Sequence, residues 1–183
     1  MPMSDTETSK FISYVLRHSP GAIGLSMDGH GKVSVKELLE RMPAEFGLDF
    51  QGLCRIVDSD PKSRYSMDEG RTMIWANQGH SISVDVEMRV ADPPQVLYHG
   101  TGEKFLAPIL AEGILPKSRL YVHLSGDAET AKAVGSRHGR PVVLEVDAAA
   151  MRADGHTFRL SANGVWLVGS VPARYVRIHS QRG

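Results

Sequence analysis

One cysteine, Cys54, stands in a chain of 183 residues. That rules out an internal disulfide and a cysteine-built zinc site, and makes a reducing compartment, the cytosol, the expectation. No run of 18 apolar residues occurs, and the opening MPMSDTETSKF has no basic stretch leading into an apolar one. Neither a membrane span nor a secretory leader is therefore expected. An excess of one charge is missing too: 21 Lys and Arg balance 21 Asp and Glu. A bulk polyanion-binding surface needs a surplus of cations, so any nucleic-acid contact must be local. There is no G-x-G-x-x-G after a strand, no G-x-x-x-x-G-K-S/T and no G-x-S-x-G, which disfavours a Rossmann site, a P-loop and a serine hydrolase. The eight histidines show no HxH, HxxxH or HExxH spacing, so no metal site is expected.

What is present reads as an ordinary globular chain, 42% hydrophobic and 23% charged, of α+β class. Its charge is uneven. Residues 1–94 carry 10 basic and 14 acidic groups, whereas residues 95–183 carry 11 and 7. Apolar Phe11, Ile12, Val15 and Leu16 predict a helix from Ser9 to His18, capped by Thr8 or Ser9 and stopped at Ser19-Pro20-Gly21. Lys32-Val33-Ser34 predicts a short strand, with Ser34 capping the helix VKELLERM. A third helix is expected over about 49–59, and RYSM and TMIWA flank Asp68-Glu69-Gly70 as a hairpin. Three helices and a ribbon form the order of a winged helix; a purely structural three-helix lobe gives the same pattern. Asp92-Pro93-Pro94 breaks regular structure, dividing the chain into lobes 1–92 and 93–183. The second lobe reads as strands VLYHG, LYVHLS, PVVLEVD, GVWLVGSV and YVRIHS, with helices over 104–112 and 127–136.

Arg17-His18 at a helix end admits two readings: complementing the negative helix terminus, or gripping an oxyanion by charge-assisted bonds. Arg64 and Arg119, each beside a strand, carry the same ambiguity. His99-Gly100-Thr101 ends an apolar strand and can serve as a ligand shelf, because a glycine lets a ligand approach the backbone; a plain polar strand end is the alternative. His123 alternates within a strand, where a core role is the commoner one.

In order and spacing, FISYVLRHSPGAIGL, RYSM, NQGHS, LYHGT, SRLYVHLS, VGSRHGRPVVLEVDA and SANGVWL closely resemble the RNA 2′-phosphotransferase family known as KptA, from about residue 9 to 176. The resemblance implies an N-terminal winged-helix RNA lobe and a C-terminal ADP-ribosyltransferase-like lobe with a mixed β-sheet that binds NAD. It places the family's essential Arg-His-Arg-Arg set on Arg17, His18, Arg64 and Arg119. It implies that an internal RNA 2′-phosphate attacks NAD, expelling nicotinamide, and that the 2′-phospho-ADP-ribosylated RNA then yields 2′-hydroxyl RNA and ADP-ribose 1″,2″-cyclic phosphate, as in tRNA splicing. Lys10, Arg17, His18 and Arg64 are expected at the RNA phosphate, and Arg119 at its junction with ADP-ribose. His99, Gly100, Thr101, His123, Leu124, Ser125, Asn163, Gly164 and Val165 are expected at NAD. No metal, no membrane and a monomer are expected. Gln78, His80, Arg137 and His138 stay open between substrate contact and structure. Two other readings share the same lobes: ADP-ribosylation of terminal RNA or DNA phosphates, and a non-enzymatic NAD-sensing regulator.

Overall fold

Ser4 and Glu7 form a reciprocal capping box that opens α1, Asp5–Arg17, a full turn before the helix start expected from the apolar stripe. The S-x-x-E signature was available in the sequence; the stripe hides it because the first turn, Asp5 to Glu7, is exposed and polar. The computed structural model describes residues 3–85 and 88–180, and the chain divides into two units, Met1–Glu87 and Met88–Gly183.

In the first unit α1 is followed by β1, Lys32–Ser34, α2, Val35–Arg41, and α3, Phe50–Asp58, then by β2, Tyr65–Met67, and β3, Met73–Ala76. The side chains of Ser34 and Asp49 cap α2 and α3 by accepting from the N–H groups of Glu37 and Gly52, which satisfies helix-end donors that would otherwise be orphaned. The strands form one antiparallel sheet, ordered β1-β3-β2. Ile12, Val15 and Leu16 of α1, spaced for one helix face, pack with Leu38, Leu53, Ile56, Val33 and Ile74 into a single core. The expected ribbon is thus the larger part of a three-stranded sheet.

The second unit begins upstream of the proline break. β4, Arg89–Val90, pairs with β8, Arg159–Leu160, and the Asp92 carboxylate accepts from Arg152 Nε at 2.7 Å. Between them run β5, Val96–Gly102, α4, Leu106–Glu112, β6, Val122–Leu124, α5, Ala128–Gly135, β7, Pro141–Asp147, and α6, Ala148–Ala153. β9, Trp166–Val168, and β10, Val176–Ile178, follow β8. The strands make two sheets, β10-β7-β5 and β4-β8-β9-β6, with a bridge between Tyr98 and Ser125. Every strand pair among the described residues is antiparallel, which corrects the expectation of a sheet of mixed direction. The helix α6 and the two-residue strands β4 and β8 carry no signal in the sequence, because such short segments complete no hydrophobic period. Leu97, Val122, Leu124, Val146, Met151, Phe158 and Val168 form the core.

Candidate functional site

Thr6, Lys10, Ser13 and Arg17 recur every three or four residues along α1 and therefore share one face. Thr6, Lys10 and Ser13 line a cleft of about 430 Å³ whose far wall holds Ser59, Asp60, Pro61 and Arg64. Arg17 ends the helix, and His18 is its C-cap, donating its backbone N–H to the Tyr14 carbonyl. His18 Nδ1 and Ser81 Oγ share a hydrogen bond of 2.8 Å, while the Ser81 N–H donates to the Arg17 carbonyl at 3.0 Å. One residue thus steadies both members of the Arg-His pair. His80, only 3% exposed, is held down to a pKa of about 4, first by burial and then by the nearby Arg17 and His18. It stays neutral at pH 7, so the Arg17 guanidinium has no buried imidazolium beside it.

Arg64 stands at the entrance to β2 on a restrained loop. Its backbone N–H donates to Asp60 Oδ2 at 2.6 Å, and its Nη1 donates to Asp60 Oδ1. On the other side the Asn77 backbone N–H donates to the Arg64 carbonyl at 2.8 Å. The Asn77 side chain donates to the Ser63 carbonyl, also at 2.8 Å. In the first unit, then, Lys10 and Arg64 share a cleft, and Arg17 and His18 stand at the end of the helix that forms its wall.

In the second unit three expected residues form a chain of contacts. Arg119 Nη1 lies 2.9 Å from His123 Nδ1. A guanidinium cannot accept, so His123 Nδ1 accepts, and the neutral ring carries its proton on Nε2. His99 Nδ1 lies 3.1 Å from the His123 carbonyl and must donate to it, which leaves Nε2 of a neutral His99 as an acceptor. Burial, with His138 nearby, lowers the His99 pKa against the opposing pull of that hydrogen bond. At Nδ1, therefore, one ring of the pair donates and the other accepts. Burial, aided by Arg137, also lowers the Arg119 pKa, yet a guanidinium remains cationic at neutral pH. Among the described residues neither Arg119 nor Arg137 lies within ion-pair distance of a carboxylate.

The other expected NAD residues sit differently. Gly100 does not leave room for a ligand on its side-chain face: a Cβ there would stand 1.6 Å from the Ala131 carbonyl oxygen, so α5 occupies that space. Gly135 and Thr101 meet backbone to backbone in the same contact. Leu124 is buried in the core, and Ser125 pairs with Tyr98 through backbone bonds of 2.8 and 2.9 Å. Asn163-Gly164-Val165 forms a tight turn. Ser161 Oγ donates to Asn163 Oδ1 at 2.5 Å and accepts from the Val165 N–H at 3.0 Å, with Gly164 at φ +79°. His138 meets the Phe105 ring edge-on, and the Gln78 side-chain oxygen is buried. Sequence reasoning missed Asp60 and the Arg119–His123 contact. The D-x-x-x-R and R-x-x-x-H spacings exist in the sequence but specify a contact only once the loops are folded.

The family model of the RNA 2′-phosphotransferase, Tpt1/KptA family matches residues 3–170. The chain belongs to this family. Members similar to it include a probable RNA 2′-phosphotransferase of Streptomyces coelicolor, 51% identical over 172 residues and 93% of each chain. One of Agrobacterium fabrum is 49% identical over 174 residues, 94% of each. A third, of Fusobacterium nucleatum, is 45% identical over 176 residues, 95% of this chain and 98% of its own. A Tpt1/KptA member is a transferase by its family description, and no described helix here is long and apolar enough to cross a membrane.

Proposed function

We propose that the protein removes an internal 2′-phosphate from RNA by transferring it to NAD, acting as a monomer in the cytosol. The observation that carries this reading is the gathering of Lys10 and Arg64 at one cleft, with Arg17 and His18 closing the same helix. A phosphomonoester bears nearly two negative charges, and taking it out of water is costly unless several cations share it. Arg17, His18 and Arg64 meet that need, with Lys10 as an auxiliary contact. We assign this first unit, three helices and a small antiparallel sheet, as a winged helix.

The second unit is assigned as an ADP-ribosyltransferase-like lobe. His99 and His123 fit a ribose or amide, since one ring accepts and the other donates, and Arg119 and Arg137 fit a pyrophosphate because no described carboxylate competes for them. The Asn163-Gly164-Val165 turn is assigned to the same site, and Gly100, Thr101, Leu124 and Ser125 are assigned as the packed framework beneath it, through the α5 and Tyr98 contacts. When bound, NAD supplies an electrophilic anomeric carbon and a ribose hydroxyl. The RNA phosphate and that hydroxyl are the nucleophiles, so no side chain need be one. Arg119 stabilises charge that builds on the phosphoryl oxygens as the phosphorus is attacked.

The test is mass analysis of a short 2′-phosphorylated RNA incubated with and without NAD. Release of nicotinamide and a cyclic phosphate of ADP-ribose, with 2′-hydroxyl RNA left behind, is the expected outcome. RNA that keeps its phosphate in the presence of NAD would overturn the proposal. ADP-ribose retained on a terminally phosphorylated oligonucleotide would instead assign terminal capping.

A further inference from the structure

A buried carboxylate beside a phosphate-binding arginine is unfavourable on charge alone, because it cancels part of the positive potential offered to the ligand. Asp60 is such a group, with its side chain 3% exposed. The two other carboxylate–arginine pairs near this region, Asp5–Arg55 and Asp58–Arg71, are ordinary surface pairs whose carboxylates are 58% and 57% exposed. Such pairs contribute little to stability. Asp60 instead accepts three N–H donors: the backbone of Lys62 at 3.2 Å, the backbone of Arg64 at 2.6 Å, and Nη1 of Arg64. The same loop holds Ser63 at φ +43°, an uncommon backbone for a residue with a side chain, and Asn77, itself 4% exposed, ties the loop down from the sheet side.

A guanidinium is planar, with its donors in a fixed fork. Pinning Nη1 and the backbone of the same residue to one carboxylate fixes that plane and leaves the remaining edge for the cleft that Arg64 lines. We propose that Asp60 is the positioning residue of Arg64, trading part of the local positive charge for a fixed guanidinium orientation. The inference rests on the reading of Arg64 as a phosphate contact. Asp60 itself touches no substrate and acts only through Arg64.

Two measurements on the full chain test it. Asp60→Asn removes the charge with little change in shape, so lost orientation and lost repulsion oppose each other in binding. The expected result is a fall in kcat of about tenfold or more, the scale of misplacing a positioned group, with KM for 2′-phosphorylated RNA changed by less than about threefold. In an Arg64→Ala background the same substitution is expected to add less than about twofold, because the two residues act as a unit. Asp58→Asn, which breaks the exposed pair with Arg71 at the end of α3, is expected to behave as wild type. Equal kcat losses from Asp60→Asn with and without Arg64 would assign Asp60 to the loop's structure and overturn the inference, as would unchanged kcat.

The second measurement needs neither RNA nor NAD. Nitrogen NMR of the Arg64 guanidinium is expected to show hindered rotation in the free protein and averaged signals in Asp60→Asn. Free rotation in the wild type would overturn the inference by itself. A wild type inactive on 2′-phosphorylated RNA but hindered at Arg64 would sink the proposed reaction and leave the positioning role standing. Asp60→Glu, which keeps the charge one methylene out of place, replaces Asp60→Asn in both measurements if the latter does not fold.

Discussion

In each unit an arginine expected at the site is held by a partner four residues away, and the partners are opposites. Arg64 leans on Asp60, a buried anion; Arg119 leans on His123, whose ring nitrogen accepts as a neutral group. The first is oriented at the expense of charge, whereas the second keeps its full charge, with burial and then the nearby Arg137 pushing its pKa down. The two arginines are thus suited to the different tasks proposed for them. A ground-state anion that must also be released is suited to a partly compensated cation. Charge that grows during reaction is better met by an uncompensated one.

The sharpest way to break this contrast is Arg119→Ala. It is expected to lower kcat by about 10³-fold, the upper scale for removing one preorganised donor, while binding of 2′-phosphorylated RNA, measured by anisotropy, stays within about threefold. An equal loss in binding would make the two arginines equivalent. Gly100→Ala contrasts the frameworks. Its Cβ would run into the α5 backbone, so denaturant unfolding should show a loss of roughly 3 kcal/mol, the high end for overpacking. Gly21 in the first unit, which faces open space, should accept alanine without such a loss.

His80 tests the electrostatics of the first unit. Its folded pKa of about 4 lies below the 6.5 of an unperturbed imidazole, so the unfolded chain takes up the proton first as pH falls. The stability this contributes is complete above pH 6.5 and is lost progressively down to about pH 4, by roughly 3 kcal/mol at 1.36 kcal/mol per unit. Urea titrations at pH 7, 5.5 and 4.5 should show that loss in the wild type and less of it in His80→Gln; parallel curves would refute the burial effect. Arg64→Ala is expected to have the smaller kcat effect of the two arginines, a fall of about tenfold that matches Asp60→Asn, with RNA binding weakened by about 30-fold, or roughly 2 kcal/mol for a charge-assisted contact. In contrast to Arg119→Ala, the greater part of the loss should appear in KM.

Much of the fold was legible residue by residue. Ser34, Asp49 and Asp127 each precede an apolar period and each caps the helix that follows. Asp68-Glu69-Gly70 does turn one strand into the next, with the Asp68 side chain accepting from the N–H groups of Thr72 and Met73. The two-residue strands β4 and β8 are set by pairing with each other across the chain, and six-residue α6 is too short to complete a hydrophobic period. Of the candidate site, the cations could be listed from their motifs. Their partners could not, since Ser81 reaches His18 across 63 positions of sequence.

Local chemistry in the chain itself determined most helix starts, the hairpin and the absence of disulfide scaffolding, because these depend on residue type and on neighbours within a few residues. Tertiary structure alone decided that Gly100 serves a helix contact, that His80 is neutral, and that Asp60 and His123 set up Arg64 and Arg119. Burial and hydrogen-bond geometry are properties of what distant segments place around a residue, and a linear sequence leaves both unspecified.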